Sequence, residues 1–441
     1  MPSPKIVFVG GGSFAWTPRL FSNILQTESL RDTAVVLFDL NAEPLDLTYR
    51  LASRLAESVG SKVKLEQTTD RGVAFDGADF IIVTITTGGL AAMAHDLAIP
   101  ERYGIYQTVG DTVGPGGLLR ALRNVPVFLE LAQAMEEACP DAWMLNCSNP
   151  LSALTRVITR ETSIRTVGVC HGVREIARQF AQHFKQPLES CAFTNAGIDH
   201  CAWFTRFNVD GISAMELLVE QGVDEWLVLP PDEAESDARF SDLYGVRCGI
   251  ALGRKLGALP AIQDRHLVEF FPGYLNSEEV IAAHGLVRSS IADREAKRAA
   301  ARGRVERHLA NSETLELYHT EDDVAGWIAA LCGGPFLEDN LNAVNRGQIP
   351  QLPDGAVVET RGLLDNAGEH PLVTPLTDQL EAVVRPHALR EELAVDAALE
   401  GSFDKALAAT TTDPLLNDTR NARPMLEEMI AATKQWLPRF A

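Results

Sequence analysis

The sequence contains no run of eighteen apolar residues and no CxxC cysteine pair. The first absence argues against a membrane-spanning helix, and the second argues against a structural zinc site. The seven cysteines are odd in number and irregularly spaced, which fits a reducing compartment better than a disulfide framework. No signal-peptide pattern precedes the apolar segment that begins at Lys5, and we therefore predict a cytoplasmic protein without a membrane partner.

Positive charge is also scarce. The chain carries 39 Lys and Arg residues against 60 Asp and Glu residues, which gives a net charge of −21. This excess of negative charge repels phosphate backbones, so we predict no nucleic-acid partner. The 441 residues exceed the usual size of one domain, and we predict two, residues 1–190 and residues 191–441.

The N-terminal segment has the pattern of a dinucleotide-binding unit. A predicted strand, Lys5–Val9, runs into a G-x-G-x-x-A motif, and a second strand, Ala34–Phe38, ends at Asp39. The glycines let backbone N–H groups approach a pyrophosphate, and the acid suits a ribose diol. The alternative is a glycine-rich surface turn beside a solvated Asp39. The predicted cofactor-binding residues are Gly10, Gly11, Gly12, Ser13, Phe14, Asp39, Thr86, Thr87 and Asn149.

Two later apolar segments stop at side chains that can bind ligands. Ala142–Leu145 is followed by Asn149, and Thr166–Val169 is followed by Cys170 and His171. Buried parallel strands have this pattern, and open α/β sheets bind ligands at the carboxyl ends of such strands. We therefore expect Asn149, Cys170 and His171 to lie in one crevice.

The segment Gly110–Gly117 holds four glycines and a proline. This composition predicts a shaped loop before a helix that spans Leu118–Cys139. Arg120 falls in the first turn of that helix, where a cation opposes the helix dipole. An anion or substrate contact would explain its position, and a solvated or ion-paired arginine is the alternative.

The second half of the chain is less regular. Ionisable residues are concentrated among apolar neighbours in Ile262–Phe271, which suggests a site because buried charges need partners. Asp232–Asp237 is predicted to be an exposed loop, and Arg294–His308 a solvated helix. Pro386 is predicted to separate two helices.

Six segments of this sequence occur together in one known family. They are Gly10–Ser13 with Thr17-Pro18, Asp111–Gly117 with Arg120–Arg123, Asn149-Pro150, Cys170–Gly172, Asn195–Gly197 with His200, and Asn345–Ile349. With these segments the chain resembles glycoside hydrolase family 4, the NAD- and manganese-dependent glycosidases. The resemblance implies an α/β fold, a Rossmann-type doubly wound sheet like that of lactate and malate dehydrogenases, with a C-terminal α+β catalytic domain. It also implies a homodimer or homotetramer.

The resemblance further implies an unusual route of hydrolysis, which differs from the two-carboxylate chemistry of most glycosidases. NAD⁺ oxidises C3 of the sugar, a base removes the C2 proton, and the aglycone leaves by elimination before water adds and the hydride returns. A divalent metal such as Mn²⁺ stabilises the enolate. By their positions in the matching segments, Cys170 and His200 resemble the metal ligands, and Asn149 and Asp111 resemble substrate contacts.

One departure from the family pattern concerns the general acid. The phospho-glucosidase branch has an acid directly after the metal-binding cysteine, whereas this chain has His171. The chain thus resembles the branch that acts on unphosphorylated α-galactosides and α-uronides, with His171 as the acid. For the C2 base, Asp264 is the first candidate, and His266 and Tyr244 follow.

The segment Asp264–Pro272 is most similar to α-galacturonidases. An arginine, Arg265 or Arg120, would suit the C6 carboxylate of a uronide. α-Glucuronidase and α-galactosidase are alternatives within the family. A 2-hydroxyacid dehydrogenase would share the glycines and Asp39 but needs no thiolate-bound metal, and a protein that only binds or senses NAD would not need Cys170, His200 and the Asp264 segment together.

Overall fold

The computed structural model describes residues 3–320 and 322–440, and its centre is one mixed β-sheet of thirteen strands. The strands are β1 (Lys5–Val9), β2 (Ala34–Phe38), β3 (Lys64–Thr68), β4 (Phe80–Val83), β5 (Trp143–Asn146), β6 (Arg165–Gly168), β7 (Cys191–Ile198), β8 (Cys201–Val209), β9 (Ile212–Ser213), β10 (Leu259–Pro260), β11 (Leu337–Val344), β12 (Val357–Asp365) and β13 (Gly368–Pro371).

Helices cover the sheet. They are α1 (Thr17–Gln26), α2 (Ala42–Ser58), α3 (Arg71–Phe75), α4 (Gly89–Arg102), α5 (Gly114–Ala138), α6 (Leu151–Glu161), α7 (Gly172–His183), α8 (Ala214–Glu220), α9 (Val223–Leu227), α10 (Pro231–Ser236), α11 (Arg247–Leu256), α12 (Asp264–Leu267), α13 (Glu278–Ala283), α14 (Ile291–Leu309), α15 (Val324–Leu331), α16 (Asp378–Glu400), α17 (Phe403–Thr411) and α18 (Ala422–Thr433).

The first six strands are parallel and lie in the order β3-β2-β1-β4-β5-β6. This is the strand order of a dinucleotide-binding Rossmann fold. Along β1, Ile6 and Phe8 pack into one apolar cluster, whereas Val7 and Val9 pack into another. Both faces of the sheet are therefore buried, which explains why these strands are apolar throughout. The predicted doubly wound α/β fold is confirmed.

The second half of the chain extends the same sheet instead of building a separate one. Asn342 of β11 pairs antiparallel with Gly168 of β6, and β12 pairs with β7. Helix α16 packs against α5 and α6 of the first half. The predicted division near residue 190 thus falls within a continuous sheet, and it stays a prediction.

The glycine-rich segment is more helical than its composition predicted. Helix α5 begins at Gly114, four residues before the predicted start at Leu118. Pro115 is tolerated because the first turn of a helix leaves its N–H groups free. A Cβ atom on Gly117 would lie 2.3 Å from the carbonyl carbon of Thr112. The glycines therefore permit close approach of the preceding loop, and only residues 110–113 form that loop.

Two further predictions were wrong. The acidic segment near residue 232 forms the short helix α10, because Pro231 and the acids in its first turn favour a helix start. Helix α16 continues through Pro386. Its contacts with α5, α6 and α17 offset the lost backbone hydrogen bond.

Between residues 3 and 320, and between 322 and 440, no helix combines the length and apolar character that crossing a membrane requires.

Candidate active site

The glycine turn and the acid of β2 meet at the carboxyl edge of the sheet. The backbone N–H groups of Gly10 and Gly11 donate to the carbonyl oxygen of Phe38, and Gly12 N–H donates to Asp39 Oδ2 at 3.0 Å. A Cβ on Gly12 would lie 2.9 Å from the same carboxylate oxygen. Gly10 has φ +94°, a conformation that favours glycine. The structure thus brings together the two parts of the predicted dinucleotide site.

The ends of β4 and β5 are connected through α5. Asn124, fully buried, accepts a hydrogen bond from Thr87 N–H at 2.8 Å and donates to the carbonyl oxygen of Asn149 at 3.2 Å. Arg120 Nε donates to the same carbonyl at 2.9 Å. These contacts fix the backbone of the predicted cofactor residues Thr87 and Asn149. Asn124 was not predicted, although it follows Arg123 directly in a segment that matches the family.

Asp199 and His200 form the two-residue turn between β7 and β8. The turn places both side chains beside Cys170, which follows β6. One potential ligand atom from each of these three residues lies within 4.8 Å of the other two. His200 has φ +63°, a region that histidine adopts rarely and that costs about 1–3 kcal/mol. The surrounding sheet holds this residue in position despite the cost.

The carboxylate of Asp199 is buried with few hydrogen-bond partners. Its residue is 0% exposed, and neither oxygen accepts a hydrogen bond from a described N–H or O–H group. A second buried acid, Glu359, lies nearby and accepts hydrogen bonds from Asn340 and Asn342. Burial raises the pKa of Asp199. Burial also raises the pKa of Glu359, and the negative charge of Asp199 raises it further.

A divalent cation would satisfy this arrangement. A buried carboxylate without a donor is costly unless it is neutral or paired with a cation. Thiolate, imidazole and carboxylate are all recognised metal ligands, and three protein ligands leave positions open for a substrate. The residues Cys170, Asp199 and His200 therefore fit a catalytic metal site. Asp199 was not predicted, although it precedes His200 directly.

His200 also belongs to a second group of potential metal ligands, together with Asp111 and His266. The rings of His200 and His266 lie 4.0 Å apart, and Thr112 Oγ1 lies 2.7 Å from His200 Nδ1. Burial would raise the pKa of Asp111, but the neighbouring His266, Arg120 and His200 lower it. Asp111 is therefore held ionised, and Asn149 Nδ2 donates to it at 3.4 Å.

His171, the predicted general acid, is held by Asp322. Its Nδ1 lies 2.9 Å from Asp322 Oδ1, and its Nε2 lies 3.8 Å from Glu175 Oε2. The hydrogen bond that the His171 ring donates to the Asp322 carboxylate is the main reason that the pKa of His171 is raised. The side chain is 42% exposed, so it borders the crevice and retains access to solvent.

Asp264 does not join either group. Its two carboxylate oxygens accept hydrogen bonds from the backbone N–H groups of Cys248 and Gly249, at 2.6 and 2.7 Å. These N–H groups belong to the first turn of α11, so Asp264 caps that helix from a distance in sequence. Burial raises its pKa to about 7. However, both oxygens are occupied by backbone donors, and this placement argues against the prediction that Asp264 is the base.

Tyr244, the third candidate base, is also distant from these groups. It packs in the apolar cluster around α7 and β8, and its hydroxyl lies next to Gly285. The charged groups that influence its pKa most are Glu235, Arg247 and Asp232. Of the three predicted bases, His266 alone lies beside a predicted metal ligand.

The charges of Arg120 and Arg294 act on Asp111, and another arginine, Arg265, lies close to Arg294. Arg120 lies in α5 and Arg265 in α12, and both were predicted to bind substrate. The third, Arg294, lies in the first turn of α14, where a solvated residue was expected. Burial lowers the pKa of Arg294, and the charge of Asp111 raises it. Arg294 Nη2 donates to the carbonyl oxygen of Val109 at 2.8 Å.

Glu269 binds the backbone of the loop that carries Asp111. This buried carboxylate accepts hydrogen bonds from Val109 N–H at 2.7 Å and Gly110 N–H at 2.9 Å. Burial raises its pKa to about 7. Glu269 therefore connects the segment of His266 to the loop of Asp111, and the ionisable cluster predicted in Ile262–Phe271 is in part structural.

Two family models match almost the entire chain. The model of the family 4 glycosyl hydrolases matches residues 5–186, and the model of the family 4 glycosyl hydrolase C-terminal domain matches residues 195–416. The chain belongs to glycosyl hydrolase family 4. The predicted family and the predicted glycoside hydrolase activity are confirmed.

Individual relatives agree with this family. An alpha-galacturonidase of Thermoanaerobacterium saccharolyticum is 32% identical over 98% of this chain and 96% of its own length. An alpha-galacturonidase of Bacillus subtilis is 32% identical over 98% of both chains. The crystal structure of lplD from Bacillus subtilis has a TM-score of 0.86 at 30% identity and covers 97% of this chain and 99% of its own.

A family 4 structure with bound ligands has the same fold. It is a 6-phospho-alpha-glucosidase from gut microorganisms in complex with NAD and Mn²⁺, with a TM-score of 0.82 at 23% identity over 99% of both chains. This chain therefore shares its fold both with lplD and with a 6-phospho-alpha-glucosidase.

Proposed function

We propose that the chain is an NAD- and manganese-dependent α-galacturonidase. The observation that carries the cofactor part of this proposal is the group of Cys170, Asp199 and His200 at the edge of a dinucleotide-type sheet, with a buried carboxylate that accepts from no described N–H or O–H group. The relatives named alpha-galacturonidase support the substrate part. An α-galactosidase from Rhizobium meliloti is 29% identical, and α-galactosides are an alternative substrate.

The residues fit both cofactors. Gly10, Gly12 and Asp39 would hold the dinucleotide, and Asp39 would favour NAD over NADP because it repels a 2′-phosphate. Cys170, Asp199 and His200 would hold the metal. When bound, NAD supplies reversible hydride transfer at C3 of the sugar, and the divalent metal supplies charge stabilisation for an enolate.

The other residues would bind the sugar and move protons. Asn149 would contact a sugar hydroxyl, since its backbone is fixed by Arg120 and Asn124. His171, oriented by Asp322, would protonate the leaving glycosidic oxygen. His266 would remove the C2 proton, because it lies against His200 and beside Asp111 while the alternative, Asp264, is occupied by backbone donors.

Isotope exchange at C2 tests this chemistry. Hydrolysis of 4-nitrophenyl α-galacturonide in D₂O, with NAD⁺ and Mn²⁺, should give galacturonate that carries deuterium at C2, as read by NMR. An ordinary two-carboxylate mechanism leaves the C2 hydrogen in place. Product without deuterium would therefore overturn the proposed elimination.

A matched pair of variants tests the base. His266→Asn should reduce both turnover and C2 exchange by about 10²–10⁴-fold, the usual contribution of a general base. His284→Asn is the control, because His284 is an exposed histidine at the C-terminal end of α13. If His266→Asn keeps full exchange, the base is another residue.

A further inference from the structure

The guanidinium groups of Arg120, Arg265 and Arg294 contact no described carboxylate oxygen, although the charge of Asp111 acts on Arg120 and Arg294. In a chain with a net charge of −21, unpaired and partly buried guanidinium groups are unexpected, because a desolvated charge needs a partner. The arrangement indicates that an anion binds there.

The hydrogen bonds of two of these arginines leave donors free. Arg265 Nη2 donates to Ser289 Oγ at 3.0 Å, and Arg294 Nη2 donates to the carbonyl oxygen of Val109 at 2.8 Å. The Nε atom of Arg294 is buried and has no partner. Arg265 and Arg294 also lie close together, since Thr108 Oγ1 donates to the carbonyl oxygen of Arg265 and Arg294 contacts the next residue, Val109. Two cations held close together by neutral acceptors favour a bidentate anion such as a carboxylate.

The position of α14 indicates that the anion site is distinct from the dinucleotide site. Arg302, eight residues after Arg294 on α14, lies 5.6 Å over the ring of Phe14, next to the glycine turn. Eight helical residues span about 12 Å. The C-terminal part of α14 thus borders the dinucleotide turn, and its first turn borders the loop of Asp111.

We propose that Arg265 and Arg294 together bind the C6 carboxylate of the substrate sugar and thereby select α-uronides over neutral α-galactosides. This inference rests on the proposed function. Arg120 is assigned a different contact, because its Nε is committed to the carbonyl oxygen of Asn149. The substrate specificity of this chain then depends on α14. This helix lies in the second half of the sequence, outside the six short segments by which the chain resembles the family.

The test compares two substrates that differ at C6. For Arg294→Gln, the ratio of kcat/KM for 4-nitrophenyl α-galacturonide to kcat/KM for 4-nitrophenyl α-galactoside should fall about 10- to 100-fold, the usual effect of losing a hydrogen bond to a charged group. Arg265→Gln should act in the same direction. Arg294→Lys should recover part of the ratio, because it restores the charge without the planar fork.

Arg298→Gln is the matched control, since Arg298 lies one turn further along the exposed face of the same helix. An equal loss on both substrates would overturn the proposal and indicate that Arg294 only supports the loop at Val109. A weaker NAD⁺ affinity with an unchanged substrate ratio would show that the anion is a phosphate of the dinucleotide.

The wild-type enzyme distinguishes failure of this inference from failure of the proposed function. If wild type hydrolyses neither substrate, or gives no C2 exchange, the proposed function is wrong. If wild type hydrolyses the uronide with exchange and Arg294→Gln leaves the ratio unchanged, only the carboxylate assignment is wrong. The competitive inhibition constant of free galacturonate gives a second readout, and it should rise about 10- to 100-fold in Arg294→Gln.

Discussion

Asp199 and Asp264 are both buried aspartates that a histidine follows within two residues, yet their surroundings differ. The carboxylate of Asp199 accepts from no described N–H or O–H group and has only the Cys170 thiol as a donor, whereas that of Asp264 accepts from two backbone N–H groups. Burial raises the pKa of both groups. A raised pKa therefore does not by itself distinguish a catalytic carboxylate from a structural one. The presence or absence of N–H donors does, because a buried carboxylate that lacks them is stable only with a cation or a proton.

The largest expected effect concerns Cys170, whose thiol lies next to Asp199. Cys170→Ser should reduce Mn²⁺-dependent turnover about 10³-fold, because it removes several kcal/mol of charge stabilisation. Steady-state hydrolysis of the nitrophenyl uronide measures this. Cys191→Ser, at the opposite end of β7 from the turn, should retain activity. Near-normal turnover by Cys170→Ser would remove the metal site from the proposal.

Asp199→Asn should weaken Mn²⁺ binding by about 10- to 100-fold, as measured by calorimetry or by the EPR signal of free Mn²⁺. The reason is that a neutral amide replaces the only carboxylate in the group. Asp264→Asn should leave Mn²⁺ affinity unchanged. If both variants bind Mn²⁺ like wild type, the contrast between the two aspartates has no functional meaning.

Asp264→Asn should instead destabilise the fold, by about 2 kcal/mol, because one backbone N–H of α11 would face an amide donor instead of an acceptor. Urea unfolding gives this number. The capping variant Asp293→Asn, at an exposed helix start, should cost less. A large loss of turnover and C2 exchange without loss of stability would return the role of base to Asp264.

The smallest effect concerns Glu269, which resembles Asp264 in its backbone donors. Its pKa of about 7 exceeds that of an unfolded glutamate, so the folded protein holds a proton that the unfolded chain has released. The free energy of unfolding therefore falls as the pH rises from the unfolded pKa of about 4 to the folded value, and about 1 kcal/mol of this fall lies between pH 6 and 8. Glu269→Gln should remove that loss, while Glu66→Gln, on the exposed strand β3, should not. An identical pH slope for wild type and Glu269→Gln would contradict the raised pKa.

Much of the first half of the site could be predicted because its chemistry is local. Gly10, Gly12 and Asp39 follow short apolar strands, and their roles depend on backbone geometry within a single βαβ unit. Cys170 and His171 follow the same rule at β6. Where local composition conflicted with context, as at Gly114 and Pro386, the helices formed because packing against neighbours outweighed propensity.

The sequence by itself determined the family, the doubly wound sheet and the identity of most residues at its carboxyl edge. Only the tertiary structure decided which acid is bound by backbone donors and which is left without any. It also placed Arg294 beside Asp111, although 182 residues separate them and α14 looks solvated in sequence. The physical reason is that hydrogen-bond satisfaction and electrostatic proximity are set by contacts between distant segments, which side-chain periodicity does not encode.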